Sequence, residues 1–153
     1  MEREAWIIDA VRSPRGKGKE TGALHNVHPQ RILAQVLNAL RERNGLDTSL
    51  VDDVVMGCGA GSGDHSMDIA RMAALDAGWS LDAPGVTLNR FCGSGQQAVN
   101  FAAMGVLSGM QDCVVGGGVD ILRVNVWANP WERIISKHDL FFTQIDTHRD
   151  RII

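Results

Sequence analysis

Val86-Thr87-Leu88-Asn89-Arg90-Phe91-Cys92-Gly93-Ser94-Gly95-Gln96-Gln97-Ala98-Val99 is a short β-branched run that ends in a cysteine and passes through glycines into an apolar helical pattern. It places Cys92 at the junction of a strand and a helix. A thiol there sits near the positive end of the helix dipole and near amide N–H groups without intrahelical partners, a setting that favours thiolate over thiol. Gly93 and Gly95 bracket Ser94 where the chain turns, allowing positive φ angles and close approach of a ligand to the backbone. Free cysteines more often serve as small buried hydrophobes, so spacing alone leaves a catalytic and a structural Cys92 both open.

The pattern after the cysteine says where it is held. No Asp, Glu, Lys or Arg occurs between Phe91 and Gln111, and Ala98, Val99, Phe101, Ala102, Ala103, Met104, Val106 and Leu107 leave almost no polar face. Such a helix is buried or crosses a membrane. Gln96, Gln97, Asn100 and Ser108 interrupt the run, which falls short of the roughly 20 apolar residues a bilayer needs, so burial within protein is expected. Ala98, Ala102, Ala103 and Gly105 are small enough for neighbouring backbones to come close on several sides.

Composition narrows the rest. The 153 residues are one domain's worth and can hold a real core. A net charge of −3 with 22% charged residues offers no electrostatic case for nucleic acid or an anionic membrane surface. The three cysteines, Cys58, Cys92 and Cys113, form no CxxC pair and suggest reduced thiols in a reducing compartment, with neither a disulfide framework nor a zinc site. Met1-Glu2-Arg3-Glu4 leads straight into a strand-like run too short for a signal-peptide core, so the start reads as cytoplasmic.

Outward from the cysteine, Ala5 to Val11 reads as a buried strand ended by Ser13-Pro14 and a basic loop of Arg15, Lys17 and Lys19, more often a solvated turn than a phosphate contact. Pro29 opens a helix with Ile32, Leu33, Val36, Leu37 and Leu40 on one face, closed by Gly45. Val51 to Met56 makes a strand with Asp52 and Asp53 at its start, and Cys58 just after it reads as core. Next comes a helix from about Ser66 to Ala77, capped by Ser66 and ended by Gly78; for His65 and Asp64 at its start a surface role outweighs metal ligation, because no other ligand stands at helical spacing. Pro84-Gly85 turns into the strand before Cys92. Cys113 to Val115 forms a further strand, succeeded by Gly116-Gly117-Gly118, which lack the spacing of a dinucleotide fingerprint. This alternation of strands and helices builds a largely parallel α/β sheet.

Five ordered segments now carry a resemblance: Asp9-Ala10-Val11-Arg12-Ser13-Pro14, Gly57-Cys58, Ile69-Ala70-Arg71-Met72-Ala73-Ala74-Leu75, the Val86 to Gly95 stretch, and Gly116-Gly117-Gly118-Val119. Together they resemble the N-terminal half of thiolases, acetyl-CoA acyltransferases. The resemblance implies a thiolase-like layered α/β fold, one βαβαβ-type half with a buried central helix. It implies an N-terminal thiolase-like domain over residues 1–120, with 121–153 the diverged or truncated start of the family's loop domain and a short helix within Trp127 to Phe142. It makes Cys92 the acyl-accepting nucleophile in cleavage of a 3-ketoacyl-CoA, or in the reverse condensation, with Asn89, Gly93, Ser94 and Gly95 forming the supporting loop. Coenzyme A enters as substrate, with no permanently bound cofactor and no metal. The expected partners are acyl-CoA and CoA, not nucleic acid or membrane, with a homo-oligomer, dimer or tetramer, in the full-length family.

In thiolases a histidine that deprotonates the nucleophile and a second cysteine that moves a proton come from the C-terminal half. His25, His28, His65, His138 and His148 match none of those positions. After Val119 the chain reads Asp120-Ile121-Leu122-Arg123 in place of a Glu-Ser-Met-Ser-like string. Two readings therefore stand side by side, a thiolase-type acyltransferase present as an incomplete chain, and a non-catalytic thiolase-like fragment that binds acyl-CoA or a partner subunit. A cysteine hydrolase of the α/β type fits less well, because Arg90 occupies a position where its nucleophile elbow wants a small residue.

Overall fold

The computed structural model describes residues 3–17, 19–121 and, for the backbone, 142–146. In chain order these form β1 (Trp6–Val11), α1 (Pro29–Asn44), β2 (Asp53–Gly57), α2 (Ile69–Asp76), β3 (Gly85–Leu88), α3 (Ser94–Ser108), β4 (Cys113–Gly118) and β5 (Phe142–Asp146), with single 3-10 turns at Thr48–Leu50 and Gly63–His65. The strands make one sheet in the order β1-β5-β4-β2-β3. Its β3, β2 and β4 are mutually parallel, whereas β5 runs antiparallel to both β4 and β1. The expected alternation thus produces the parallel part, and β5, inside the stretch 121–153, adds an antiparallel part that the sequence pattern did not announce. Of the range Trp127 to Phe142, where a short helix is expected, residues 127–141 lie outside the described residues and Phe142 begins β5.

Helices cover both faces of the sheet, and the strands sort their side chains accordingly. Val54 and Met56 of β2, with Cys113 and Val115 of β4, join Leu33, Leu37 and Leu40 of α1 and Ala70, Ala73 and Ala74 of α2 in one core. Val55 and Val114 point the other way, against Ala98, Ala102 and Val106 of α3. The period-two alternation of a strand between two apolar layers accounts for this division.

The first helix forms as the sequence predicts. Pro29 stands in its first turn, the His28 side chain caps Gln30 N–H at 3.3 Å, and Gly45 closes it at φ 58°. The second is shorter than expected. Met67 adopts φ 65°, so the helix starts at Ile69, and Asp68 replaces Ser66 as the cap, its carboxylate accepting from Arg71 N–H at 3.3 Å.

Three further expectations are corrected. The β1 strand is not buried: it is the sheet edge, with Ile7 63% exposed and only Val11 in the core. Its charged Asp9 faces the last turn of α1, accepting from Arg43 at 3.1 Å and Asn44 at 2.9 Å. The helix after Cys92 is buried on one face only. Ser94, Ala98, Ala102 and Val106 are enclosed, whereas Phe101, Met104 and Leu107 lie open, because among the described residues the sheet covers a single side of α3. Finally, Gly116, Gly117 and Gly118 belong to β4 itself, which is buried throughout. A Cβ at Gly116 would lie 3.0 Å from Val99 Cα, so the bare strand lets α3 settle directly on it.

Candidate functional site

The parallel strands β3, β2 and β4 end in register: Gly57 pairs with Leu88 on one side and Gly118 on the other. The segments beyond those ends therefore emerge side by side, at the edge where ligands bind in open α/β sheets. From β3 comes Asn89 to Gly93, from β2 comes Cys58 to Ala60, and from β4 comes Val119 to Ile121.

The turn after β3 is held by two side chains. Asn89 accepts from Phe91 N–H at 2.9 Å and donates to the Gly59 carbonyl at 3.1 Å, tying its own loop to the one after β2. Ser94, buried at the first position of α3, accepts from Arg90 N–H at 2.8 Å and donates to the Phe91 carbonyl at 2.6 Å. The Arg90 side chain reaches forward to Gln97. Between these braces Phe91 takes φ 48°, a left-handed conformation costly for a residue with a Cβ. Cys92 comes next, exposed and two residues before the first residue of α3.

Of the residues singled out in sequence, Cys92, Asn89, Gly93, Ser94 and Gly95 are thus brought together at one strand-to-helix turn. The glycines matter less by their own φ than by what packs on them: Gly93, at φ −92°, is the N-cap. The sharper glycine requirement is underneath, at Gly57, where an added Cβ would overlap the Ser94 carbonyl carbon and Gly95 N. The first turn of α3 rests directly on the end of β2.

Three residues that sequence reasoning left in the background lie directly below. Asp120 accepts from Gly59 N–H at 3.0 Å and Ala60 N–H at 3.1 Å, and from the Cys58 thiol at 3.7 Å. His65 is not a surface residue but buried, its Nε2 accepting from Ile121 N–H at 2.8 Å. Burial, reinforced by the Asp120 carboxylate, pushes the Cys58 thiol up to about 12. Gly59 separates the two layers, with a Cβ position 3.2 Å from the Phe91 carbonyl and 3.3 Å from the Asp120 carboxylate. No local spacing joins residues 58, 65 and 120. The available signal was topological: Gly57 and Gly118 end neighbouring parallel strands, so the loops leaving those two strand ends must meet.

Among the described residues no helix is long and apolar enough to cross a membrane. The N-terminal domain profile of thiolases matches residues 5–136. The chain is 44% identical over 116 residues to a steroid 3-ketoacyl-CoA thiolase of Mycobacterium tuberculosis, covering 76% of this chain and 28% of that protein. It is 42% identical over 121 residues to a β-ketoadipyl-CoA thiolase of Pseudomonas aeruginosa, covering 78% and 30%. The crystal structure of the Bacillus anthracis acetyl-CoA acetyltransferase superposes with a TM-score of 0.69 at 38% identity, over 76% of this chain and 29% of that one. The 153 residues therefore span under a third of the length of these relatives. By its layered fold, its strand-to-helix cysteine turn and these similarities, the chain belongs to the thiolase family, whose N-terminal portion it matches.

Proposed function

We propose that this chain is the nucleophile-bearing part of a thiolase-type acyl-CoA acyltransferase, with Cys92 as the acyl acceptor. The observation that carries the reading is the exposed Cys92 on a turn braced by Asn89 and Ser94 at the head of α3. In the cleavage direction Cys92 Sγ attacks the keto carbon of a 3-ketoacyl-CoA. The bond between that carbon and the neighbouring methylene breaks, and the carbanion takes a proton and departs as acetyl-CoA. The acyl group stays on Sγ as a thioester until the thiol of free CoA takes it, one difficult cleavage becoming two easier steps. Coenzyme A is a substrate in this scheme, and no permanently bound cofactor enters it.

The Cys92 N–H is one donor to the thioester oxyanion, a contribution commonly on the order of 10²–10³ in rate. The general base and the second cysteine that the family's chemistry calls for are supplied by protein outside these 153 residues, in a longer chain or a partner subunit, within a dimer or tetramer. Cytoplasmic residence fits the three free thiols.

Incubating the chain with an acyl-CoA in mildly alkaline buffer, where hydroxide stands in for the general base that lies outside these residues, and mapping the adduct by mass spectrometry tests the reading. One acyl group on Cys92, absent in Cys92→Ser, is the expected result. Acyl-CoA binding with no transfer to Cys92, under conditions where iodoacetamide alkylates it, leaves a non-catalytic acyl-CoA-binding domain and overturns the proposal.

A further inference from the structure

The cluster under the Cys92 turn has the composition and spacing of a metal site. Cys58 is the first residue beyond β2, Asp120 lies two residues beyond β4, and His65 closes the 3-10 turn Gly63–His65. One ligand atom from each lies within 4.8 Å of the others, and the cysteine and histidine are buried. The Sγ to Oδ1 separation is 3.7 Å. Ligands at the usual zinc distances of about 2.0–2.3 Å stand roughly 3.3–3.8 Å apart around a tetrahedral ion, so this edge is already at length. The remaining edges need only small movements of side chains that end in loops.

We propose that Cys58, His65 and Asp120 form a binding site for a zinc ion directly beneath the turn that carries Cys92. A thiolate, an imidazole and a carboxylate are a borderline-soft donor set, suited to zinc and poorly suited to magnesium or calcium. Three protein ligands leave a fourth position for water. The His65 nitrogen that accepts from Ile121 N–H carries the lone pair that ligation uses, so binding exchanges that hydrogen bond for N–Zn and leaves the half-exposed Ile121 N–H to water. Binding breaks the Cys58 S–H bond, forms S–Zn and releases the proton to solvent. Access is through Ala60 to Asp64, largely exposed, where Gly63 has open space around its Cβ direction. The same Asp120 carboxylate holds Gly59, and Gly59 holds Asn89, so the ion stiffens the Cys92 turn from below.

The proposal stands apart from acyl transfer, and its test does not require activity. The 153-residue chain, freed of metal by a chelator, is titrated with cobalt(II) and then with zinc. The expected result is one equivalent per chain, with a thiolate-to-cobalt charge-transfer band that zinc abolishes. The band persists in Cys92→Ser and is lost in Cys58→Ser. His65→Gln and Asp120→Asn, close in shape to the originals, weaken zinc binding by more than about 10-fold. Zinc also raises the melting temperature of the unsubstituted chain, a readout independent of any variant. A missing cobalt band, a band that depends on Cys92, unchanged zinc affinity in His65→Gln and Asp120→Asn, or no rise in melting temperature overturns the site.

Discussion

Ser94 Oγ is the smallest group on which the Cys92 turn depends. It closes the loop on both sides, accepting from Arg90 N–H and donating to the Phe91 carbonyl, from a position with almost no solvent contact. Water has little room to replace it. Ser94→Ala therefore costs about 1–3 kcal/mol, the penalty of a hydrogen bond whose partner is left unsatisfied. It slows acylation of Cys92 as the turn loosens; denaturant midpoints and adduct formation tracked by mass spectrometry measure the two effects. An equally stable variant acylated at the original rate would refute the brace. Asp53, at the start of β2, is a second test at this scale. Burial raises its carboxyl above the ordinary 3.8, with the neighbouring charges of Asp68 and Asp52 adding to the effect. A raised carboxyl favours the folded state while protonated, so its contribution is present below about pH 3.8 and is lost as pH rises through the folded value. Asp53→Asn is thus more stable than the parent at pH 7, and the advantage disappears below pH 4. A constant difference across that range would exclude the titration of Asp53 as its source.

At the scale of elements, the fold turns on how closely α3 lies against β2 and β4. Gly57 and Gly45 separate two reasons for a glycine. Gly45 has φ 58° with nothing within 4 Å of a Cβ, whereas at Gly57 a Cβ would overlap the backbone of Ser94 and Gly95. Gly45→Ala pays only for its backbone conformation, about 1–2 kcal/mol, and leaves the Cys92 turn alone. Gly57→Ala drives the first turn of α3 off the strand, costing about 1–3 kcal/mol or more and lowering the acylation rate. Melting temperatures and acylation rates of the pair check this; a Gly57→Ala variant acylated normally would show that the close packing does not position Cys92. The same packing explains what the sequence disclosed and what it hid. The α1 helix was legible because its start, apolar face and end are each written in neighbouring residues. The Cys92 turn was legible because strand, glycines and helix are contiguous. The edge position of β1 was hidden, since β5 comes more than a hundred residues later to separate it from β4. His65 was hidden for a related reason: Cys58 and Asp120, which lie within reach of its imidazole, are brought there by the parallel register of β2 and β4.

For the molecule as a whole, the uncharged stretch from Phe91 to Gln111 has two fates. Ala98, Ala102 and Val106 recur every fourth residue and bury against the sheet, while Phe101, Met104 and Leu107 recur every third and remain open, with Met104 59% exposed. Met110, just past the helix, is 87% exposed. Isolated surface hydrophobes are ordinary, but a stripe of large ones along the second half of a helix is the kind of surface that another protein layer covers. Prepared alone, the 153-residue chain is therefore expected to self-associate. Phe101→Gln combined with Leu107→Gln should suppress that association yet change folding stability by no more than about 0.5 kcal/mol, since neither side chain belongs to the core. Sedimentation velocity over a range of concentrations, paired with denaturant unfolding, reads both quantities. If the unsubstituted chain sediments as a monomer throughout, the open face of α3 needs no cover. If the double variant unfolds much more readily, Phe101 and Leu107 support this domain from within.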